Sequence, residues 1–267
     1  MKDSIAEIQR LVLNRTDSNQ RKLNGIWPID YFATPTQNQA FDLRLIITHT
    51  LGQGCAYSEI KNQDRNTFKR LLGRDVLEEE IEFAIRVSIL DSLYGVLYPF
   101  SKKETKINNE NPDIKNLWRS HIVLSEAQRL IGKSQFSKPM RVLNIGFVDS
   151  FVRTLREAKY EVFATDLESS IIGAEISGVT IEDGVKSHII LRNVDLVIAT
   201  GMTITTNTID RIIKECKKNN TKLLIFAETG HSFASYYLQN GVDTYISEHF
   251  PFYSFEGYSI IDICRGR

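Results

Sequence analysis

Hydrophobic residues in the second half of the chain form short runs that are separated by glycine-containing turns and amphipathic stretches. The runs are apolar throughout, as in LVIA and LLIFA, and lack the alternating polar positions of a half-exposed strand. Such strands are typical of a parallel sheet that helices cover on both faces. From residue 140 onward the pattern predicts the order strand, helix, strand, strand, helix, strand, helix, strand, strand.

The bounds of these elements follow from the apolar runs and from the polar, helix-period stretches between them. We predict strands at Arg141–Ile145, Glu161–Thr165, Asp195–Ala199, Leu223–Ala227, Thr244–Ser247 and Ser259–Cys264. We predict helices at Ser150–Ala158, Thr208–Lys218 and Phe233–Gln239.

The first hundred residues have a mixed pattern that begins with a short amphipathic helix. LRLIITHTL predicts a strand, GQG a turn, and CAYSEI the returning strand. A helix is expected at Asp64–Leu72, ended by Gly73, and a longer one from about Val76 to Tyr98, where apolar residues recur every three or four positions.

The polar stretch Ser101–Pro112 separates two differently patterned parts and predicts a linker or exposed loop. A helix at Asp113–Ile131, followed by Gly132, should open the second part. We therefore predict an α/β protein with two domains. Residues 1–112 would form a smaller α+β domain, and residues 113–267 a Rossmann-like, mostly parallel sheet.

The composition narrows the class of partner. The 267-residue chain has 33 basic and 33 acidic residues, so it lacks the positive charge that a broad nucleic-acid surface needs. It has no apolar run long enough to span a membrane. The three widely spaced cysteines favour reduced thiols, and with them a cytoplasmic location. A small molecule is the expected partner.

Two residues at neighbouring strand ends are candidates for binding that molecule. Gly146 follows the strand VLNI, where a glycine lets backbone approach a ligand closely. Asp166 ends the next strand about twenty residues later, the spacing of an acid that binds ribose hydroxyls. The sequence GFVDSF lacks the three-glycine dinucleotide fingerprint, and both residues could instead serve a tight turn and a cap.

The third strand end carries a row of hydroxyls. The segment from Thr200 to Thr208 runs TGMTITTNT ahead of a predicted helix, whose free N–H groups and partial positive charge attract anions. One cap needs one residue, so this many hydroxyls favour a ligand site. The candidates are Thr200, Gly201, Thr203, Thr205, Thr206 and Thr208.

Titratable residues follow two further strands. Glu228 and His231 lie in AETGHS, and Glu248 and His249 follow the next strand. Glu228 or His231 could act as the acid or base near neutral pH. His231, His249 and Glu248 could instead ligate a metal, although their spacing matches no zinc motif and each histidine could have a structural role.

Several segments together resemble the putative heavy-metal chelation family. They are LGQGCAY, LLGRD, RVSILDSLYGVL, VLNIGFV, ATGMTITTNTID and TGHSFASYYLQNGVD. The family's hydroxyl loop is similar at Thr200, Gly201, Thr203 and Thr208, whereas AETGHS departs from its proline-containing turn. The resemblance implies an enolase-N-terminal-like small domain joined to a Rossmann-like domain, and it implies metal chelation.

Two functions follow as hypotheses. The first is a protein, expected to be an enzyme, that binds an S-adenosylmethionine-like or other anionic metabolite. S-Adenosylmethionine fits a turn without the three-glycine fingerprint, because it has no pyrophosphate group for that fingerprint to bind. The second is a metal-binding or chelate-handling protein without catalysis, using a divalent metal. A homodimer is also expected, because the N-terminal part has a limited core of its own.

Overall fold

A computed structural model describes residues 3–36, 39–58, 65–135, 137 and 139–266. The N-terminal part contains helix α1 (Ser4–Leu13) and strands β1 (Gly25–Thr36), β2 (Gln39–His49) and β3 (Gln53–Ser58), followed by helices α2 (Arg65–Leu71) and α3 (Phe83–Leu97). The three strands form an antiparallel sheet in the order β1-β2-β3. The ends of two predicted elements, residues 59–60 and residue 64, lie outside the described residues.

The rest of the chain builds a larger sheet. Its elements are β4 (Lys103–Ile107), α4 (Pro112–Ile131), β5 (Arg141–Ile145), α5 (Asp149–Glu157), β6 (Glu161–Asp166), β7 (Glu175–Ile176), β8 (Val179–Asp183), α6 (Ser187–Ile190), β9 (Leu196–Thr200), α7 (Met202–Thr205), α8 (Ile209–Asn219), β10 (Lys222–Ala227), α9 (Ala234–Gln239), β11 (Thr244–Glu248) and β12 (Ser259–Arg265). Across the described residues the strand order is β4-β12-β11-β10-β9-β5-β6-β8-β7.

The larger sheet is mostly parallel, as the sequence predicts. Strands β11, β10, β9, β5, β6 and β8 pair in parallel, whereas β12, β4 and β7 join antiparallel at the two sides. The chain leaves β5 toward β6 and β8, and then returns to β9 on the other flank of β5. This reversal opens a crevice at the carboxyl ends of β5 and β9, where ligands of such folds bind.

Apolar residues cover both faces of the larger sheet. Helices α4 and α5 pack on one face through Val123, Phe151 and Leu155. On the other face, α8 and α9 pack in one core that also contains α1, α3 and residues of the small sheet. The two-domain division at residue 112 stays a prediction, because this core is shared between the two parts.

Two predicted elements differ from the structure. The polar linker contains β4, which pairs antiparallel with β12 and places the segment at the outer side of the larger sheet. The long helix begins at Phe83 instead of about Val76, because residues 77–79 form a turn and a bend and residues 80–82 are irregular, with Arg86 donating a hydrogen bond to the Glu79 carbonyl. Gly73 and Gly132 end their helices with φ of 74° and 82°.

The structure also bears on membrane insertion. Within the parts of the chain that are described, every helix is too short or too polar to cross a lipid bilayer.

Candidate functional site

Gly146 and Thr200 meet at the switch point of the larger sheet, as the parallel-strand prediction requires. Gly146 has φ of 76°, and a Cβ added to it would lie 2.2 Å from the Thr200 Oγ1. The position therefore requires glycine for its backbone conformation and for its contact with β9.

A cavity of about 680 Å³ opens beside this contact, at the carboxyl ends of β5, β6, β9 and β10. Most of the residues predicted to bind a ligand line it: Gly146, Asp166, Thr200, Gly201, Thr203, Thr206, Thr208 and Glu228. Thr205 does not line it, and its hydroxyl donates to the Met202 carbonyl within α7. We call this space the strand-end cavity.

The amides of the glycine turn are already bonded within the protein. The Phe147 amide donates to Asp166 at 2.7 Å, and the Val148 amide donates to Asn144 at 2.9 Å. The second oxygen of Asp166 accepts from the Glu168 amide. Burial raises the pKa of Asp166, and these backbone hydrogen bonds oppose the rise. Asp166 therefore fastens the turn, which is one of the roles that its sequence position predicts.

The hydroxyls of Thr203, Thr206 and Thr208 are also committed, whereas that of Thr200 has no partner among the described residues. Thr203 donates to the Thr200 carbonyl at 2.7 Å, and Thr206 donates to the Met202 carbonyl at 3.0 Å. The Thr208 hydroxyl lies 3.0 Å from that of Thr206. The segment folds into α7 before α8 begins, and these hydroxyls donate their protons to backbone carbonyls of that turn. Their oxygens can still accept a hydrogen bond from a ligand, but they have no proton left to donate to one.

A buried ionic cluster lies at one end of the strand-end cavity. Arg119 of α4 contacts Glu228 at 2.5 Å and Glu248 at 2.7 Å, and its guanidinium lies 4.0 Å from the centre of the Tyr253 ring. Tyr57 of β3 donates to Glu228 at 2.9 Å. Burial, with Arg119 opposing it and Glu228 adding to it, raises the pKa of Glu248 to about 7. Glu248, which the sequence offers as a metal ligand, is thus engaged by Arg119.

His231 and His249 lie together in a second cavity of about 370 Å³, between α3, β3 and the ends of β11 and β12. Their ring centres are 4.8 Å apart. The two residues predicted as candidates for the acid or base therefore lie in different cavities, because Glu228 lines the strand-end cavity and His231 lines this one.

Three ligand-type side chains converge at the wall of the second cavity. The Cys55 sulfur, an Asp91 oxygen and a His231 nitrogen all lie within 4.8 Å of one another. The carboxylate of Asp91 lies 2.7 Å from the His231 Nδ1 and accepts the Cys55 amide at 3.0 Å. The Cys55 thiol lies 2.9 Å from the Glu228 carbonyl oxygen. We call these three residues the thiol cluster.

Close packing of α3 on β3 brings the thiol cluster together. A Cβ added to Gly54 would lie 2.2 Å from the Ser88 carbonyl oxygen, and one added to Gly95 would lie 2.8 Å from the Ser232 Cβ. Ser232, the neighbour of His231, donates its amide and its hydroxyl to Asp91. The two glycines therefore let the helix approach both the small sheet and the loop after β10.

Burial sets the protonation of the cluster. Burial, and then the nearby charges of Asp91 and Glu228, raise the pKa of the Cys55 thiol well above its ordinary value. Burial alone would lower the pKa of His231, but the charge of Asp91 and its hydrogen bond raise it overall. Asp91 is 1% exposed and Cys55 is 1% exposed, so both are shielded from water.

A second ionic group borders the cluster. His249 lies 2.5 Å from Asp262, and Lys102 lies 2.6 Å from the same oxygen. Burial raises the pKa of Asp262, but the hydrogen bonds from His249 and Lys102 lower it overall. His249 therefore lies beside His231 with its Nε2 directed to Asp262 instead of to the cluster.

Sequence reasoning missed Cys55 and Asp91. Cys55 belongs to the small sheet and Asp91 to α3, so only tertiary packing joins them to His231. A signal was present in SILDSLYGVL, where a single carboxylate interrupts the apolar positions of a buried helix. Such a carboxylate needs a partner or a ligand.

The fold and the two cavities define an α/β protein with a Rossmann-like sheet, whose strand-end crevice is bordered by a small antiparallel sheet and its helix. Residues 132–225 match the model of the DUF364 family, described as "putative heavy-metal chelation", which confirms the resemblance seen in the sequence. The matched segment contains Gly146, Asp166 and the threonine loop, but not the thiol cluster.

Two solved structures share the fold over nearly the whole chain. One is a DUF364 protein of unknown function from Pyrococcus horikoshii, with 14% identity, a TM-score of 0.57, and coverage of 98% of this chain and 99% of that one. The other, from Desulfitobacterium hafniense DCB-2, has 11% identity, a TM-score of 0.55, and coverage of 96% and 97%. Among curated proteins, none matches this chain.

Proposed function

We propose that this protein binds a divalent transition metal at Cys55, Asp91 and His231. The observation that carries the proposal is the convergence of a thiol, a carboxylate and an imidazole within 4.8 Å. A metal ion requires several ligand atoms around one point, so metal binding explains this convergence better than packing does. The description of the family supports the same chemistry.

The ligand types indicate which metals fit. A thiolate and an imidazole favour borderline or soft ions such as zinc, cobalt or cadmium over magnesium or calcium, which prefer oxygen. Three protein ligands also leave a coordination position for water or for a bound molecule. That position would face the second cavity.

The surrounding charge favours a cation at this point. Asp91, Glu228 and Glu248 each raise the pKa of the buried Cys55 thiol, which means that their field disfavours a thiolate without a counter-ion. A bound metal would supply that counter-ion and displace the thiol proton.

Metal analysis of protein purified without an affinity tag tests the proposal. We expect near-stoichiometric zinc or a related ion in the unaltered protein. Cobalt loading should produce a thiolate-to-metal charge-transfer absorption band, because Cys55 is a ligand. Cys55→Ser should abolish the band and lower the metal content, because loss of a direct ligand should weaken binding by at least the roughly tenfold that loss of an outer-shell partner costs.

Cys216→Ser is the matched control, because Cys216 is equally buried but lies on α8 outside the thiol cluster. It should keep both the metal and the absorption band. The isosteric variant Asp91→Asn should also lose the metal. Unchanged metal content in folded Cys55→Ser and Asp91→Asn protein would refute the proposal.

A second function, the binding of a small organic molecule, is favoured by the size of the strand-end cavity, about 680 Å³. An S-adenosylmethionine-like ligand, with Glu228 as acid or base, belongs to this proposal. In that version Asp166 would bind the ribose in addition to fastening the glycine turn. A rise in Tm with S-adenosylmethionine, absent from a variant of the strand-end cavity and kept by a cluster variant, would support it.

A further inference from the structure

We propose that the strand-end cavity binds an organic molecule through a cationic donor group, such as an ammonium, and not through a phosphate or a carboxylate. The inference deepens the small-molecule proposal by naming the chemical class of the ligand. It does not depend on the metal proposal, because Cys55, Asp91 and His231 do not line this cavity.

The first ground is that most of the side-chain and glycine-turn donors expected to receive an anion are used within the protein, the Thr200 hydroxyl being the exception. Asp166 and Asn144 take the amides of the glycine turn, and backbone carbonyls take the hydroxyl protons of Thr203 and Thr206. An anion entering the cavity would have to compete with these internal bonds. The same groups keep acceptor lone pairs, which suit a donor.

The second ground is that two polar atoms in the cavity wall lack partners, a carboxylate oxygen that can only accept and a hydroxyl that can accept or donate. The Glu215 Oε2 and the Thr200 Oγ1 are both shielded from solvent, and neither has a hydrogen-bond partner among the described residues. Glu215 belongs to α8 and Thr200 ends β9, and both line the cavity. A carboxylate oxygen without a donor is costly to bury, so a donor from a ligand would stabilise it.

The third ground is the balance of charge around the cavity. Six acids line it: Asp113, Asp149, Asp166, Glu168, Glu215 and Glu228. Three arginines oppose them, and Arg119 among these is already shared by two glutamates. Arg153 lies 4.0 Å from Asp149 with a largely exposed side chain, and Arg211 is exposed. Asp113 and Glu168 are exposed as well, so the groups that remain in the enclosed part are Asp149, Asp166, Glu215 and Glu228 against Arg119, an acidic balance that attracts a cation.

The remaining wall is apolar and defines the body of the ligand. Phe147, Leu191, Ile212, Phe226 and Tyr253 line the cavity, so an aromatic or aliphatic body would bury its surface there while the cationic group meets Glu215.

Matched pairs of probes that differ in the sign of one group test the proposal. The pairs are tyramine with 4-hydroxyphenylacetate, and 5′-amino-5′-deoxyadenosine with adenosine 5′-monophosphate. We expect cationic members to raise the Tm of the full chain, and their anionic partners to leave it unchanged. Titration calorimetry should then give the Kd of each cationic probe that binds.

Variants of the wall locate the binding. Glu215→Gln keeps the shape but removes the charge, and should weaken binding of the cationic probe about tenfold. Thr200→Val should also weaken it. Glu157→Gln, an exposed residue of α5 outside the cavity, should leave the Kd unchanged.

Three results would overturn the proposal. They are tighter binding of the anionic members, no rise in Tm with any cationic member, and equal Kd values for Glu215→Gln and Glu157→Gln. Metal content is measured on the same samples. A protein that holds metal but rejects the cationic probes thus refutes this proposal alone, whereas stabilisation by a neutral probe only would leave small-molecule binding standing without it.

Discussion

At the scale of single residues, Gly54 controls how closely α3 approaches the small sheet. A Cβ at this position would lie 2.2 Å from the Ser88 carbonyl oxygen and 2.4 Å from the Ser92 amide nitrogen, both of which are backbone atoms of a buried helix. We expect Gly54→Ala to lower the free energy of unfolding by about 1–3 kcal/mol, because the helix must shift. Urea unfolding measures the change.

Gly25→Ala is the control for this prediction. The three atoms nearest the added Cβ all belong to the Trp27 ring, which is half exposed and can rotate away. The free energy of unfolding should therefore change by less than about 0.5 kcal/mol. Equal stability of the two variants would show that α3 tolerates displacement, and that the thiol cluster does not depend on this contact.

The sequence identifies residues of the candidate sites where one rule of topology suffices. Parallel strands deliver their carboxyl ends to one edge, and that rule alone places Gly146 beside Thr200. The rule could not predict that Asp166 accepts a hydrogen bond from the glycine turn, because that bond depends on the conformation of the loop. Nor could it join Cys55 to Asp91, because the two are brought together by the packing of α3 on β3.

At the scale of elements, α4 and β12 are joined through Glu126. Its buried carboxylate contacts Arg265 at 2.5 Å and Arg129 at 2.7 Å. Burial raises the pKa of Glu126, but the hydrogen bonds from the two arginines outweigh burial and hold the pKa below its ordinary value of 4.5. A carboxylate with a depressed folded pKa contributes stability above its unfolded pKa, and this is lost as the pH falls through the folded pKa.

Glu126→Gln should therefore lower the free energy of unfolding at pH 7 by about 1–2 kcal/mol. The expected loss is no larger because both arginines are partly exposed, and solvent screens their ion pairs with Glu126. The difference between the variant and the unaltered protein should shrink as the pH falls below about 4.5. Urea titrations across pH measure it. The exposed pair of Glu161 and Arg141 supplies the control, and Glu161→Gln should change stability by less than about 1 kcal/mol. A difference that grows toward acid would contradict the assignment.

Element prediction succeeded where the chain itself carries the signal. The apolar runs at β5, β9 and β10 placed each strand within about one residue, because burial on both faces demands them. Strand β4 gave no such signal, since KETKI is polar and its pairing partner β12 lies far away in the sequence. Strand β1 contains Pro28, which an outer strand tolerates because β1 pairs on one side alone among the described strands.

At the scale of the whole molecule, one apolar core spans both sheets. It joins Ile46 of the small sheet and Leu90 of α3 to Tyr237 of α9 and Ile225 of the larger sheet. Ser4 of α1 adds a hydrogen bond from its amide to Asp210. Since neither part has this core to itself, we expect the two parts to unfold in one transition.

Two tryptophans report on the two parts separately. Trp27 lies on β1, and Trp118 lies on α4. Trp118→Phe and Trp27→Phe each leave a single tryptophan, whose fluorescence should give the same urea midpoint in both variants, matching circular dichroism. A lower urea midpoint in Trp118→Phe, whose remaining tryptophan is Trp27, would show that the small sheet unfolds independently. That result would support the predicted division at residue 112.

The pairing of β4 with β12 has a consequence for synthesis on the ribosome. When translation has reached Gly257, β4 and β11 have both been made, but the strand that belongs between them does not yet exist. That side of the sheet closes only after Arg265 has cleared the exit tunnel. A chain released before β12 is made would therefore leave β4 and one side of β11 unpaired, and their backbone groups can recruit another polypeptide.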